Sequence, residues 1–344
     1  MDLTLDPVQI RLAEAVRAAL SRTGETHAEL AAIGVPELGL PDRLGGYGLG
    51  LGAEVTVDLE LGRQLCPLPA RRETRLALDL LPADRTAAAL AARCAKGETQ
   101  LVTVGVHGPP TVRLDERGRL FGDSGPLPVE EAALAVVRAT GPDGSARWCT
   151  AVPTGPGVEP VDHPLLGLPG RLLRFTGAPA QPLAVDGPVP HPALAAARVR
   201  QAAVLTGIAE AALAAARTHV NTRRQFGTPL VERQSVAHRL ARLTGEGDGW
   251  HLLVHEAAWR HDRGEDCRAV AAQALAAAAE HALACARLAV QLHGVRGMLA
   301  HSTAATAYRH ASVEAVRLGT PRLLWQEAGA HLAAGDRAAP GLGE

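Results

Sequence analysis

The chain changes its hydrophobic rhythm twice. Residues 1–98 read as helix: the stretches 8–21, 53–65 and 84–95 each place apolar residues at helical spacing. Between the first two lies "GVPELGLPDRLGGYGLGLG", a proline- and glycine-rich run that cannot hold regular structure. Across 99–190 the pattern shortens into β-leaning runs, "QLVTVGV", "TVRLDERGRLFGD", "ALAVVRAT" and "RWCTAVPT". Turn signals such as Glu116-Arg117-Gly118 and Pro142-Asp143-Gly144 separate them, which predicts a small antiparallel barrel or sandwich. The prolines of "PAQPLAVDGPVPHP", between 180 and 192, predict a linker at its end. From 191 to 344 the pattern is helical again. A long Ala-rich helix runs to about Thr222, with Pro192 where a helix start tolerates proline. Val236, Leu240 and Leu243 form one stripe at i, i+4 and i+7. Further helices fit 267–292, 299–316 and 320–334, and long helices with short connections predict an antiparallel bundle. The expected fold is mainly α: an N-terminal helical domain, a small antiparallel β middle domain and a C-terminal four-helix bundle.

Composition narrows the class. The 344 residues suffice for two or three cores. A hydrophobic share of 47% with 21% charged residues describes a globular chain rather than a disordered one. The net charge of −1 carries no basic tail or stripe, so nucleic acid is not an expected partner. The positive charge is arginine almost throughout, Lys96 being the only lysine. Cys66, Cys94, Cys149, Cys267 and Cys285 are scattered without a CxxC pair, against a disulfide framework or a cysteine zinc site and in keeping with a reducing compartment. The N-terminus begins acidic and amphipathic, unlike a signal peptide. The most apolar stretch, 270–292, is interrupted by Gln273, Glu280, His281 and Arg287, which reads as a buried bundle helix rather than a membrane span. The expected location is the cytoplasm, with no membrane contact.

Four motifs offer chemistry. "GLGLGA" (48–53) matches GxGxxA, but no buried strand precedes it, so it reads as a loop rather than a dinucleotide fingerprint. In "HLLVHEAAWRH" (251–261), His251 and His255 share a helix face, but Trp259 stands where a metalloprotease pattern needs its second histidine and His261 lies on another face. A solvated helix side is the expectation, with no metal. "TRRQFGTPL" is different. An arginine fork can grip a pyrophosphate and Phe226 can flank an adenine, although Gly227 and Pro229 would equally serve a plain helix–turn–helix connection with solvated arginines. "QLHGVRGML" (291–299) is a second such turn, where Gly294 and Gly297 permit close backbone approach and Gln291 offers an amide.

Taken together, "IGVPELGLPDRLGGYGLG", "ELGRQLCPLP", "RRQFGTPLVERQSVAHRLARL" and "QLHGVRGMLAHSTAATAYRHASVEAVRLGT" resemble the acyl-CoA dehydrogenase family over nearly the whole chain. The resemblance implies the three-part fold above and an FAD at a subunit interface, reached from a neighbouring subunit by the R-x-x-F-G and Q-x-x-G-G-x-G turns. Carried over by position, the cofactor-binding residues are Arg223, Phe226, Gln291, Gly294 and Gly297, with Gln234 and Thr320 as weaker matches; Val295 departs from the usual second glycine.

Two departures bear on catalysis. The family abstracts a proton α to an acyl thioester with a carboxylate, commonly in a Tyr-Glu-Gly-Thr motif; the aligned stretch here is "VRLGT", with Leu318 in place of the base and Arg317 in place of the tyrosine. The alternative glutamate, on an earlier helix, aligns with Ala197, beside a retained Arg198. No catalytic residue is therefore identified. Residues 99–125 are also too short for the family's T-E-P…G-S-D run, which with a Trp-Ile-Thr-Asn segment frames the flavin ring. The expectation is a base-lacking subunit that contributes FAD contacts in trans to a full-length homologous partner, or within a homo-oligomer, in acyl thioester dehydrogenation. One alternative is a self-sufficient enzyme with a relocated base (Glu314, Glu210 or His301, each otherwise a solvated helix residue) or non-redox chemistry. The other is a cofactor-free scaffold.

Overall fold

The computed structural model describes residues 7–21, 26–82, 84–129 and 131–338. Five helices come first: α1 (Pro7–Leu20), α2 (Thr26–Ala32), α3 (Gly50–Arg63), α4 (Pro69–Leu80) and α5 (Arg85–Ala95). The "GLGLGA" stretch leads into α3 from a turn, not from a strand. Asp84 caps α5 by accepting from the Ala87 amide at 2.9 Å. The arginines of α4 obscured its apolar stripe in the sequence, yet Leu76, Ala77 and Leu80 are buried on it.

Among the described residues eight strands then form one sheet. They are β1 (Leu101–Val104), β2 (Val112–Leu114), β3 (Arg119–Asp123), β4 (Leu134–Thr140), β5 (Ala146–Ala151), β6 (Val158–Asp162), β7 (Arg171–Pro179) and β8 (Gln181–Asp186). Their order is β6-β7-β3-β2-β4-β5-β8, with β1 also on β4. The sheet is not purely antiparallel as expected, because β1 runs parallel to β4 from Leu101↔Leu134 to Val104↔Val137. Parallel neighbours need a long crossover, and the β2–β3 hairpin with its flanking loops supplies it. Nor is 180–192 only a linker: β8 lies within it and pairs with β5, Pro182 opposite Cys149. An edge strand tolerates the missing proline N–H. Val102 and Val104, Ala135, Val137 and Ala139, and Leu173 and Phe175 bury one face at the strand period of two. The second edge of β1 is met by side chains of α4. The Leu101 amide donates to Thr74 Oγ1 at 3.0 Å, and the Thr103 amide and hydroxyl donate to Glu73 at 3.2 and 2.6 Å.

The helical remainder comprises α6 (His191–Thr222), a small hairpin of β9 (Arg224–Gln225) and β10 (Thr228–Pro229), α7 (Gln234–Asp262), α8 (Arg268–His293), α9 (Thr303–Glu314) and α10 (Pro321–Ala338). Helix α8 packs against α7, α9 and α10. It is buried on nearly every side, which its alanines permit at close helix spacing. His191–Thr222 and Arg268–Met298 are apolar and long enough to cross a membrane, but 78% and 72% of their apolar windows are buried inside the protein, as in core helices.

Contacts divide the chain into two compact units: 1–13, 54–67 and 198–344 in one, 14–53 and 68–197 in the other. In the first, α3 crosses α6 with backbones touching. A Cβ on Gly62 would lie 2.2 Å from the Val204 carbonyl oxygen, and one on Gly207 2.2 Å from that of Leu59. Beside the crossing, Arg200 and Glu54 form an ion pair with side chains only 1% and 4% exposed. Gly62→Ala and Gly207→Ala should each lose about 1–3 kcal/mol or more through overpacking, lowering the circular-dichroism melt by roughly 2–10 °C. Gly249→Ala, where an added Cβ meets nothing, should gain about 0.5–1 kcal/mol. A Gly207→Ala melt equal to that of the parent would contradict the crossing.

Candidate functional site

The long helix α6 ends at Thr222, and the chain reverses through β9 and β10 into α7. The Leu230 amide donates to the Arg223 carbonyl at 2.9 Å, closing the hairpin, and Arg224 Nη1 reaches the Gly227 carbonyl at 3.3 Å. At the tip Phe226 has φ of +54° and is 92% exposed, with the Arg233 guanidinium 4.9 Å from its ring centre. A non-glycine residue in the left-handed region costs energy, and no core contact accounts for this one. Arg223 is exposed beside it, and Gln234 is exposed at the first position of α7.

The second turn caps α8. Gly294 takes φ +59° and ψ −139°, a conformation open to glycine, with clear space where a Cβ would stand. Gly297 differs: its Cβ would fall 2.6 Å from the Val290 carbonyl oxygen, so the fold itself demands glycine there. Val295 and Met298 are 78% and 73% exposed. The structure joins the two turns. Arg239 Nη1 donates to Gln291 Oε1 at 3.2 Å, and the rings of His219 and His293 stack with centres 4.2 Å apart. Gln291 thus uses its oxygen internally, while its amide nitrogen takes no part in that bond. Sequence reasoning missed both histidines; their positions, one turn before Arg223 and one residue before Gly294, were the available signal. Thr320 stands exposed before α10, its carbonyl accepting from Leu324.

Near Thr320 in sequence, Leu318 has φ of +50° and its carbonyl accepts from Arg198 Nε at 3.4 Å. Arg198, 5% exposed, also pairs with Glu327 at 2.6 Å. Ala197, the preceding residue of α6, is buried. Glu314 is not a solvated helix residue as expected. It is 2% exposed, accepts from Gln201 Nε2 at 2.7 Å and pairs with Arg317 at 3.3 Å. His301 is exposed.

Comparison with known proteins bears on the C-terminal half and on the fold. The family described as "Acyl-CoA dehydrogenase, C-terminal domain" matches residues 188–332. The chain is 33% identical over 127 residues to a 3-(aryl)acrylate reductase of Clostridium sporogenes, covering 37% of this chain and 34% of that protein. It is 34% identical over 123 residues to an acyl-CoA dehydrogenase of Bacillus subtilis, covering 36% and 32%. The matched stretch is therefore about a third of the length of these curated relatives. Among solved structures, the Tcur3481-Tcur3483 steroid ACAD G363A variant superposes with a TM-score of 0.85 at 25% identity over 97% of this chain and 100% of that one. The ChsE4-ChsE5 complex from Mycobacterium tuberculosis gives 0.85 at 22% identity over 99% and 100%. Residues 188–332 therefore carry the C-terminal domain of the acyl-CoA dehydrogenase family, and the chain as a whole has that family's fold. Its N-terminal helices, β middle domain and C-terminal helical domain are the arrangement of that family's fold.

Two further features lie away from the two turns. In the middle domain, β1 is buried along its whole length, and Thr103 gives both its amide and its hydroxyl to Glu73. In the helical domain, His251 and His255 are not a solvated helix side. Arg63 on α3 bonds Glu60 at 2.5 Å and also Glu210 on α6. Glu210 in turn meets His251 Nδ1 at 3.2 Å, and His251 meets His255, Nε2 to Nε2, at 3.1 Å. His261 instead lies 3.6 Å from Asp262. Burial would raise the Glu210 carboxyl, but hydrogen bonds from His251 and Arg63 hold it below its ordinary range. Burial, then the neighbouring His251 and Arg63 charges, push His255 down to about 4. The unfolded chain therefore binds the proton first. The stability that neutral His255 contributes is complete above about pH 6.5 and is lost as pH falls through about 4. Urea titrations at pH 7.5 and 5.0 should show this acid loss, and His255→Phe should flatten it; an unchanged slope in the variant would contradict the assignment.

Proposed function

We propose that the chain is a subunit of an acyl-CoA dehydrogenase-type flavoprotein that clasps the diphosphate and adenine of an FAD lodged mostly in a partner subunit. The observation that carries this reading is the pairing of the two turns. Arg223, Phe226 and Gln234 on one side, and Gln291, Gly294 and Gly297 on the other, belong to turns joined through His219–His293 and Arg239–Gln291. Arginine forks suit a diphosphate, the open backbone at Gly294 suits close approach, and the exposed Phe226 ring suits a flat base. Thr320 is a further candidate contact.

The ring end fits less well. The β1 segment, where the resemblance calls for flavin-framing groups, is closed over by Glu73. Leu318 and Ala197 carry no titratable atom, and Glu314 is already bonded by Gln201 and Arg317. A partner would supply the base and the ring pocket, so the assembly rather than this chain alone would dehydrogenate an acyl thioester. When bound, FAD accepts the hydride leaving the β-carbon; this chain's residues bind and orient it. Both the Tcur3481-Tcur3483 protein and the ChsE4-ChsE5 complex name two polypeptides, which supports a two-chain assembly here.

Co-expression with a full-length homologue encoded beside it should yield a yellow hetero-oligomer containing both chains by mass, while the chain purified alone should lack flavin absorbance. Flavin-loaded, active homo-oligomer from this chain alone would overturn the proposal. Arg223→Ala with Phe226→Ala alters only exposed side chains, so stability should shift by no more than about 0.5 kcal/mol per site. Flavin content of the co-purified assembly should nevertheless fall at least about tenfold, the loss of a charge-assisted contact being worth about 1.5–3 kcal/mol.

A further inference from the structure

The two turns could have been joined by any apolar contact, but they are joined by two imidazoles. His219 lies in the last turn of α6, where its carbonyl accepts from the Arg223 amide at 2.8 Å, so the ring is one helical turn from the hairpin. His293 ends α8 and immediately precedes Gly294. The rings stack at 4.2 Å with an interplanar angle of 25°. His293 Nδ1 lies 2.7 Å from the Ala289 carbonyl, which makes Nδ1 the protonated nitrogen and leaves Nε2 as the site for any second proton. His219 finds a backbone acceptor at Leu292. His219 thus meets a carbonyl of the last turn of α8, where carbonyls lack an i+4 partner within the helix, and His293 meets the carbonyl four residues before it on its own helix.

The charges that bear most on His219 are of one sign. Arg223 follows on from α6, Arg296 lies in the turn after α8, and Arg239 of α7 binds Gln291 on α8. Burial, then His293, Arg223 and Arg296, push His219 below its ordinary value. A second proton on His219 is therefore opposed by its neighbours. A doubly negative diphosphate seated between the turns would reverse that balance, since an opposite charge within about 4–6 Å favours the protonated form.

We propose that His219 and His293 are positioning residues of the dinucleotide clasp: their stack sets the separation of the two turns, and the pair takes up one proton when a diphosphate binds. This rests on the reading that the turns hold a dinucleotide diphosphate. By linkage, uptake of a full proton tightens binding up to about tenfold for each unit of falling pH.

The test uses ADP-ribose, whose diphosphodiester has no group titrating between pH 6 and 8. Calorimetry on the purified chain in buffers of different ionisation heat, at fixed salt, counts protons taken up. Histidine Cε1–H shifts in NMR follow the two rings. The expected result is uptake approaching one proton, affinity rising several-fold from pH 8 to pH 6.5, and one of the two rings titrating at higher pH when ligand is bound. His219→Phe with His293→Phe should bind at pH 8 but with no dependence on pH. ADP-ribose binding without proton uptake, with neither wild-type ring moving, overturns the proposal and leaves the clasp standing. No binding at millimolar ADP-ribose, by the chain alone or by the flavin-free two-chain assembly, overturns the clasp and the proposal together. The wild-type NMR titration decides the question even where the double variant fails to fold.

Discussion

Two glycines set how closely α3 and α6 can meet, and much of the helical unit depends on that closeness. At Gly62 and Gly207 the helices touch backbone to backbone, leaving no room for side-chain slack in their spacing or rotation. Ion pairs on either side of the contact, Arg200 with Glu54 and Arg63 with Glu60 and Glu210, then fix the register. Removing one partner of a buried pair typically costs about 3–5 kcal/mol, far more than the pair's net stabilising effect. The arrangement therefore specifies one crossing more strongly than it stabilises it. Helix α6, held in this way, carries its rigidity to the hairpin at its end.

The carboxylates of this chain show the same emphasis. A general base needs free lone pairs within reach of the proton it removes. Glu54, Glu60, Glu73, Glu210 and Glu314 each accept from arginine, threonine, histidine or glutamine side chains. Their acceptor capacity is directed to holding helices and strands together. Glu314, the acid nearest in sequence to Leu318, illustrates this: buried between Gln201 and Arg317, it fastens the end of α9 to α6.

Helical spacing made α1, α3 and the long bundle helices legible in the sequence, because each buries a continuous stripe. Strands β1 to β5 were legible from their β-branched runs and turn pairs. Strand β8 was not, since its proline signalled a break that an edge position tolerates, and α4 was hidden by arginines that its fold partly buries. At the site, glycine, arginine and phenylalanine marked the two turns by composition. What joins them could not be read, because His219 and His293 lie 74 positions apart and neither forms a motif by itself. Glu314 was misjudged as solvated, and the contacts of half-buried Glu210, His251 and His255 were missed, for the same reason: packing depends on which helix faces which, and periodicity within one helix does not give that.

Phe226 is held in one conformation by the fold. Its unusual backbone angle is imposed by a closed hairpin, and Arg233 lies over its ring before any counterpart arrives. Most of the ordering entropy that a flexible loop would lose on docking has thus been lost already in folding. Association through this surface would then be a rigid-body encounter, with strength expressed mainly in how slowly the partners separate.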